Sequence, residues 1–318
     1  MTNQFSIDGI VPVIPTPFRD NEEIAWESLG GMMDFAVAAG ACAVCLPAYA
    51  SEFYKLSEEE RLRLVKEAVA RAAGRIPVIA QVNSASVRLA VETARAVQEF
   101  GVEAVCSAVP RLFAVPESDL YEYFEELLGE IRVPFILQDF NPGGASVSVE
   151  WVARLHRAHP QFRYLKLEEP MMAGKARAIR EATGGEVGVL EGWGGMYLLE
   201  LVEAGIAGVV PGLGMADLLA RVFRLAKEGK REEAYPIFAA VLPQIVYSLQ
   251  NLELYHHAEK RLLGARGVLK EVGVRRAGMR LGRHDEEYIE FLNGRVLGVL
   301  DQLGMARNPG NVPSVPLL

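Results

Sequence analysis

VPVIPTPFRDNEEI, residues 11–24, follows the first apolar run of the chain and decides between two folds. Short Val/Ile/Ala-rich runs begin near residues 10, 42, 76, 102, 133, 162, 187 and 207, and longer segments of helical periodicity lie between them. Such alternation belongs either to a doubly wound sheet or to a (β/α)8 barrel. A dinucleotide-binding doubly wound sheet carries a glycine-rich turn directly after its first strand. Residues 11–24 hold prolines at 12, 15 and 17 and no such glycine fingerprint. The expectation is an α/β chain folded as a (β/α)8 TIM barrel.

Working outward, NEEIAWESLGGMMDFAVAAG at 21–40 places Ile24, Leu29, Met32, Met33 and Val37 at roughly helical spacing, and Gly40 stops the helix. Ser57, with Glu60 three residues on, is a capping box opening a helix that ends at Gly74. Further helices fit 86–99, 117–130, 147–157, 171–183, 195–204 and 213–227. Beyond residue 227 the strands stop. Residues 230–264 and DEEYIEFLNGRVLGVLDQLG at 285–304 read as helix after helix. The expected organisation is a barrel over 1–227, a helical appendage over 228–306 and a proline-rich extended tail over 307–318.

Half of the 318 residues are apolar, enough for one large core. The net charge is −8 with no basic block, so neither nucleic acid nor an anionic membrane surface is an expected partner. MTNQFSIDG at 1–9 lacks a targeting pattern, and no run resembles a membrane span. The cysteines are Cys42, Cys45 and Cys106; an odd number argues against a disulfide framework and for a reducing, cytoplasmic location. Cys42 and Cys45 form a C-x-x-C, but strand periodicity sends them to opposite faces. His156, His159, His256, His257 and His284 show no metal-ligand spacing and are expected on exposed helix faces. No metal and no cofactor are expected.

The stretch FRYLKLEEP at 162–170 carries the chemistry. Residues 162–167 read as a buried strand, apolar except for Arg163 and Lys166. Burying an ammonium is costly unless it is paired or has lost its proton. A lysine with a buried stem and a solvated head is the ordinary alternative. In a barrel, however, catalytic side chains come from the C-terminal ends of strands. Lys166 and Glu168 occupy that place on strand six, two residues apart and therefore both inward, with Leu167 facing the helices. The other strand ends are PAYASE (47–52), PRLF (110–113), QDFNPGG (138–144), EGWGG (191–195) and VPGLG (210–214). A neutral amine there can attack a ketone, and the protonated imine is an electron sink that permits C–C cleavage or loss of a proton followed by a hydroxyl.

Over about residues 8–300 the chain resembles the dihydrodipicolinate synthase and N-acetylneuraminate lyase superfamily. The resemblance rests on VPVIPTPF (11–18), SEFYKLSEEER (51–61), the strand with Lys166 and the glycine-bearing segment after strand eight. It implies a barrel with three C-terminal helices, a tetrameric assembly, and a Schiff base between Lys166 and a 2-oxo acid. The pattern departs from the family in telling places. Where the family shows G-T-T-G-E after strand two, this chain has Ala48, Tyr49, Ala50, Ser51 and Glu52. Tyr49 replaces the proton-relaying threonine, and Ala50 the threonine that holds the carboxylate. The tyrosine after strand five falls on Gln138, followed by Asp139, and that after strand four falls on Leu112. The arginine near residue 143 is absent from PGGASV.

The Gln138–Asp139 pair, the K-L-E strand end and GWGGMYLLELVEAGIAGVVPG (192–212) are similar to a branch of 2-keto-3-deoxy-sugar-acid dehydratases. The expected catalytic residues are accordingly Lys166, Glu168 and Tyr49. The expected substrate contacts are backbone N–H groups around Ala50 and Ser51, then Arg111, Gln138, Asp139, Gly192 and Val210. Glu169, facing outward, is expected to be structural. A synthase-like condensation of pyruvate with an aldehyde, and a non-catalytic barrel serving binding or assembly, remain open alternatives.

Overall fold

The computed structural model describes residues 5–111, 115–140 and 147–311. Eight parallel strands make one sheet: β1 Gly9–Ile10, β2 Val44–Leu46, β3 Val78–Gln81, β4 Ala104–Ala108, β5 Phe135–Phe140, β6 Phe162–Glu168, β7 Gly188–Glu191 and β8 Gly208–Val209. Each strand from β2 to β8 pairs with its sequence neighbour, and β1 returns to pair with β8. The remaining seam closes at Val13, which bridges Cys45 on one side and Gly212 on the other. The expected α/β barrel is thus present. Its first strand is short because Pro12 and Pro15 have no N–H to give to a ladder. Val11 and Val13 still donate to the carbonyls of Val209 and Pro211, both at 2.8 Å.

Helices alternate with the strands: α1 Ser28–Ala38, α2 Glu58–Ala72, α3 Val87–Glu99, α4 Glu117–Gly129, α5 Val149–Ala158, α6 Met172–Ala182, α7 Leu198–Glu203 and α8 Ala216–Lys227. Three more follow: α9 Arg231–Ser248, α10 Leu252–Ala265 and α11 Arg283–Gln302. The capping box of α2 forms, with Glu60 N–H donating to Ser57 Oγ and Ser57 N–H to Glu60 Oε2. The period of two sorts each strand into two cores. Cys45, Ile79, Cys106, Ile136 and Leu190 fill the barrel. Val44, Leu46, Val105, Leu137, Leu165 and Leu167 face the helices.

Three local expectations are corrected. The helix expected from residue 21 begins at Ser28. Before it, Phe18 bridges Ile24 and Glu22 takes a left-handed φ of 67°, so residues 18–24 turn back as a tight hairpin. His256, expected on an exposed face, is buried beneath Tyr54; burial first, then the Lys260 and Lys55 charges, push its pKa down to about 2, and it is neutral. Pro309–Asn311, expected to be extended, form a 3-10 turn. The rest of the tail, 312–318, lies outside the described residues, as do Leu112 and the PGGASV positions up to 146. Among the described residues no helix is long and apolar enough to cross a membrane.

Candidate active site

A cavity of about 510 Å³ opens at the C-terminal ends of the strands, where βα loops meet the turn between α9 and α10. Lys166 and Glu168 sit at its base. Their shared parity on β6 turns both inward, while Leu167 between them is fully buried among the helices. Lys166 is 8% exposed and Glu168 6%, and Nζ lies 3.1 Å from Glu168 Oε1. Burial works against the Lys166 ammonium. The Glu168 carboxylate, with the Cys45 and Cys106 thiols beneath, outweighs it, so Lys166 is held above the ordinary lysine range. Burial raises Glu168 above the usual carboxylate range, opposed first by Lys166 and then by Gln138. Glu168 Oε1, at 3.1 Å, stands within proton-transfer reach of Lys166 Nζ.

Gln138 comes from the neighbouring strand at matched register: it pairs with Lys166 across β5–β6. Its Nε2 donates to Glu168 Oε1 at 2.6 Å. Its Oε1 accepts a short hydrogen bond from Gln81 Nε2 at the end of β3. Gln81 was missed in the sequence, although its signal matches that of Lys166: a polar residue closing an apolar strand, VIAQ. The three polar side chains form one line, Gln81 to Gln138 to Glu168. Gly192, just past β7, faces the far side of Glu168, and a Cβ there would run into the glutamate side chain. Glycine is what lets Glu168 lie across the cavity floor.

Tyr49 and Ala50 line the same cavity in a 3-10 turn after β2. The Tyr49 ring packs 5.2 Å from that of Phe140, centroid to centroid, and narrows the mouth. Burial, then the Glu168 charge, raises the Tyr49 phenol, so it stays protonated at neutral pH. Val210 and Gly192 also line the cavity. Ser51 does not reach it. Its hydroxyl donates to Ile14 O at 2.6 Å and accepts from Ala48 N–H, and its own N–H is taken by Ala48 O. Of the N–H groups expected around Ala50–Ser51, that of Ser51 is thus used within the protein, while those of Tyr49 and Ala50 have no acceptor among the described residues. Arg111 and Asp139 are likewise away from the cavity. Asp139 has the helix-facing parity of β5, accepts from Val147 N–H at 2.7 Å and pairs with Arg111 at 2.5 Å. Glu169 pairs with Lys175 at 3.0 Å, on the outside as expected.

Buried acids hold the loops around the cavity. Glu52, in a left-handed conformation with φ 59°, pairs with Lys260 of α10 at 2.5 Å and with Lys55 at 3.1 Å, and so pins the Tyr49 turn. Glu191 accepts the Gly195 N–H at 2.8 Å across the β7 loop. Glu259 of α10 accepts the Gly214 N–H at 2.6 Å across the β8 loop. Burial raises both Glu191 and Glu259 to about 7.

Comparison with known proteins agrees with this architecture. Residues 6–281 match the dihydrodipicolinate synthetase family. The chain is 29% identical over 270 residues to the L-2-keto-3-deoxyarabonate dehydratase of Azospirillum brasilense, covering 84% of this chain and 85% of that protein. It is 28% identical over 284 residues to a 4-hydroxy-tetrahydrodipicolinate synthase of Pseudomonas putida, covering 86% and 91%. In fold it resembles a catalytic-lysine mutant of the sialic acid aldolase of Ruminococcus gnavus, with a TM-score of 0.86 at 20% identity over 95% of this chain and 99% of the other. The dihydrodipicolinate synthase of Rhodopseudomonas palustris superposes with a TM-score of 0.85 at 24% identity over 92% and 99%. A closed eight-stranded barrel with an inward lysine on its sixth strand, matched over most of its length by one family, places the chain in the dihydrodipicolinate synthetase family, the lysine Schiff-base lyases and aldolases of small 2-oxo acids.

Proposed function

We propose that the protein is a dehydratase of a 2-keto-3-deoxy acid of the sugar-acid kind, working through an imine on Lys166. The observation that carries this reading is the buried Lys166–Glu168 pair at 3.1 Å on the cavity floor, in a chain without the family's hydroxyl relay. Likeness to a sugar-acid dehydratase over 84% of the chain supports it.

In this mechanism Glu168 takes a proton from the Lys166 ammonium, and the freed amine attacks the C2 ketone. Glu168 returns that proton to the carbinolamine hydroxyl, which leaves as water, and a protonated imine remains beside the Glu168 carboxylate. A carboxylate at Glu168 then removes a C3 proton, and the electron pair left behind forms an enamine. The enamine expels the C4 hydroxyl, which leaves as water after taking that proton back from Glu168. Hydrolysis of the remaining imine releases product and restores the amine. In this reading the N–H groups of Tyr49 and Ala50 receive the substrate carboxylate, and the Tyr49 phenol donates to a substrate oxygen. Aldol cleavage uses the same imine but breaks C3–C4, releasing pyruvate and an aldehyde. The protein is further proposed to act as a homotetramer, as the family resemblance implies, in the cytoplasm, as its odd cysteine count suggests.

The test joins trapping to turnover. Pyruvate with borohydride should add irreversibly to Lys166, and Lys166→Arg should abolish the adduct while the protein stays folded. 2-Keto-3-deoxy pentonates and hexonates should then lose water without releasing pyruvate. An adduct on another lysine, such as Lys175, would refute the assignment of Lys166; pyruvate release would make the protein an aldolase.

A further inference from the structure

The cavity has room beyond the reacting group: it measures about 510 Å³, whereas a 2-oxo acid head is a few atoms long. Tyr255 of α10 reaches this space from the side of β8. Its hydroxyl lies against Gly212, where a Cβ would meet Oη at 2.5 Å, so glycine leaves the phenol its place. The side chain is 7% exposed and lines the cavity. Its Oη has no hydrogen-bond partner among the described residues, yet it is not one of the unpartnered polar atoms sealed away from the cavity. Burial, then the Glu259 charge, pushes the phenol up, so it keeps its proton at neutral pH and can both give and take a hydrogen bond. Lys166 and Glu168 act on the Tyr49 phenol but not on this one, so Tyr255 stands apart from the reacting pair.

The turn between α9 and α10 adds two more groups to the same wall. Gln250 Nε2 donates to Tyr247 O at 3.1 Å, which leaves Oε1 as an acceptor. Asn251 Oδ1 accepts from Glu253 N–H at 2.8 Å, which leaves Nδ2 as a donor. Asn251 and Tyr255 are four residues apart and share one face of the first turn of α10. Gln250 and Asn251 are exposed at the mouth while Tyr255 is buried, so the three make a run of hydrogen-bonding groups from the mouth inward. Leu249 and Leu252 line the cavity beside them and suit the C–H faces of a chain. The only charged lining residues, among those described, are Lys166 and Glu168. A second carboxylate at the far end of a ligand would meet no cation among them.

We propose that Tyr255, with Gln250 and Asn251 at the mouth, forms a subsite that hydrogen-bonds the substrate hydroxyls beyond C4, and that the far end of the substrate is uncharged. The proposal rests on the reading of Lys166 as the imine-forming residue. It narrows the substrate to open-chain 2-keto-3-deoxy aldonic acids, with one carboxylate at the head and none at the tail. A tail carrying hydrogen in place of hydroxyl would cover the Tyr255 phenol without giving it a partner, which is costly for a buried polar group. A tail ending in a carboxylate would lose its water without gaining a counter-charge. Tyr255 touches the tail and not the reacting atoms, so it sets specificity.

The experiment uses the full-length protein and 4-hydroxy-2-oxo acids of five and six carbons with identical heads. Each length is made in three forms: with hydroxyls beyond C4, with hydrogens only, and with a terminal carboxylate. At the length that turns over faster, kcat/KM for the hydroxylated acid should exceed that of each other form at least tenfold. Tyr255→Phe keeps the ring in α10 and removes only the hydroxyl. It should lower kcat/KM about tenfold on the hydroxylated acid and far less on the hydrogen-only form, while pyruvate trapping by borohydride persists. Equal losses on both forms, no loss on either, or a wild-type preference for the hydrogen-only or carboxylate tail would overturn the subsite and leave the imine reading intact. Pyruvate trapping without turnover of either hydroxylated acid would do the same. Release of pyruvate with the same ranking of tails would uphold the subsite and replace dehydration with aldol cleavage. Failure to trap pyruvate on Lys166 in the wild-type protein would overturn both.

Discussion

Glu168 shares one oxygen between two donors, Gln138 Nε2 at 2.6 Å and Lys166 Nζ at 3.1 Å, and this sharing sets its chemistry. Both donors favour the carboxylate, while burial favours the acid. Glu168→Gln keeps the shape and removes the exchangeable proton. Turnover should therefore fall ~10²–10⁴-fold in single-turnover measurements. Pyruvate trapping on Lys166 should persist at equilibrium, because the substitution also removes the charge that holds the lysine proton, and solvent can then take it. Near-normal turnover would move the proton carrier to Tyr49 or water. Gln81 acts one step further out. By donating to Gln138 Oε1 it fixes that amide with its NH2 group towards Glu168. In Gln81→Leu the amide is free to flip, and Glu168 loses a donor that lowers its pKa. The acid limb of the rate–pH profile should then move to higher pH, since the base must ionise before it can remove the C3 proton. An unmoved limb with lower activity would assign Gln81 to packing alone.

At the scale of elements, α10 is the brace of the active-site mouth. Lys260 reaches Glu52 in the β2 loop, and Glu259 reaches Gly214 in the β8 loop. Gly212 has no side chain because a Cβ would meet Glu259 Oε2 and Tyr255 Oη, each at 2.5 Å. The buried acids leave a mark on stability. Glu259 has a folded pKa of about 7 against an ordinary 4.5. Between those values the folded protein keeps a proton that the unfolded chain has released. Its stabilising share is therefore full below 4.5 and is lost as pH rises to about 7, a change on the order of 3 kcal/mol. Glu191 has the same sign and window. Glu259→Gln, which imitates the protonated form, should flatten the fall in urea stability between pH 5 and 7 and gain on the parent at pH 8. An unchanged slope would show that Glu259 is already ionised in the folded state.

For the whole molecule, the helices after residue 227 complete buried ion pairs of the barrel. Arg266 pairs with Asp217 of α8 at 2.6 Å and Lys260 with Glu52 at 2.5 Å, all four side chains being buried. Removing one partner from such a pair costs about 3–5 kcal/mol because the other charge is left without compensation. A chain ending at Lys227 should therefore lose cooperative unfolding, seen in calorimetry as a missing transition; a sharp melt near that of the full chain would show an independent barrel. The intact protein should sediment as a tetramer at micromolar concentration. A fully active monomer would contradict that assembly.

The sequence by itself determined the alternation of strands and helices, because strand parity and helix periodicity are local properties repeated along the chain. The absent glycine fingerprint only counted against a doubly wound sheet, and the return of β1 to β8 was decided in the tertiary structure. The run FRYLKLE determined that Lys166 and Glu168 point inward, since residues two apart in a strand share a face. The Ser57–Glu60 box determined a helix start for the same local reason. What only the tertiary structure decided were pairings between distant residues. Arg111 was expected at the substrate, yet Asp139, 28 residues away, neutralises it. Ser51 was expected to offer its backbone N–H to substrate, but Ala48 O takes that N–H. Gln81 joins Gln138 across 57 residues, and Lys260 joins Glu52 across 208. The balance between burial and Glu168 on the Lys166 proton was equally invisible in sequence. A side chain's hydrogen-bonding and charge partners depend on which strands and helices the closed barrel brings within about 3 Å, and local periodicity carries no record of that.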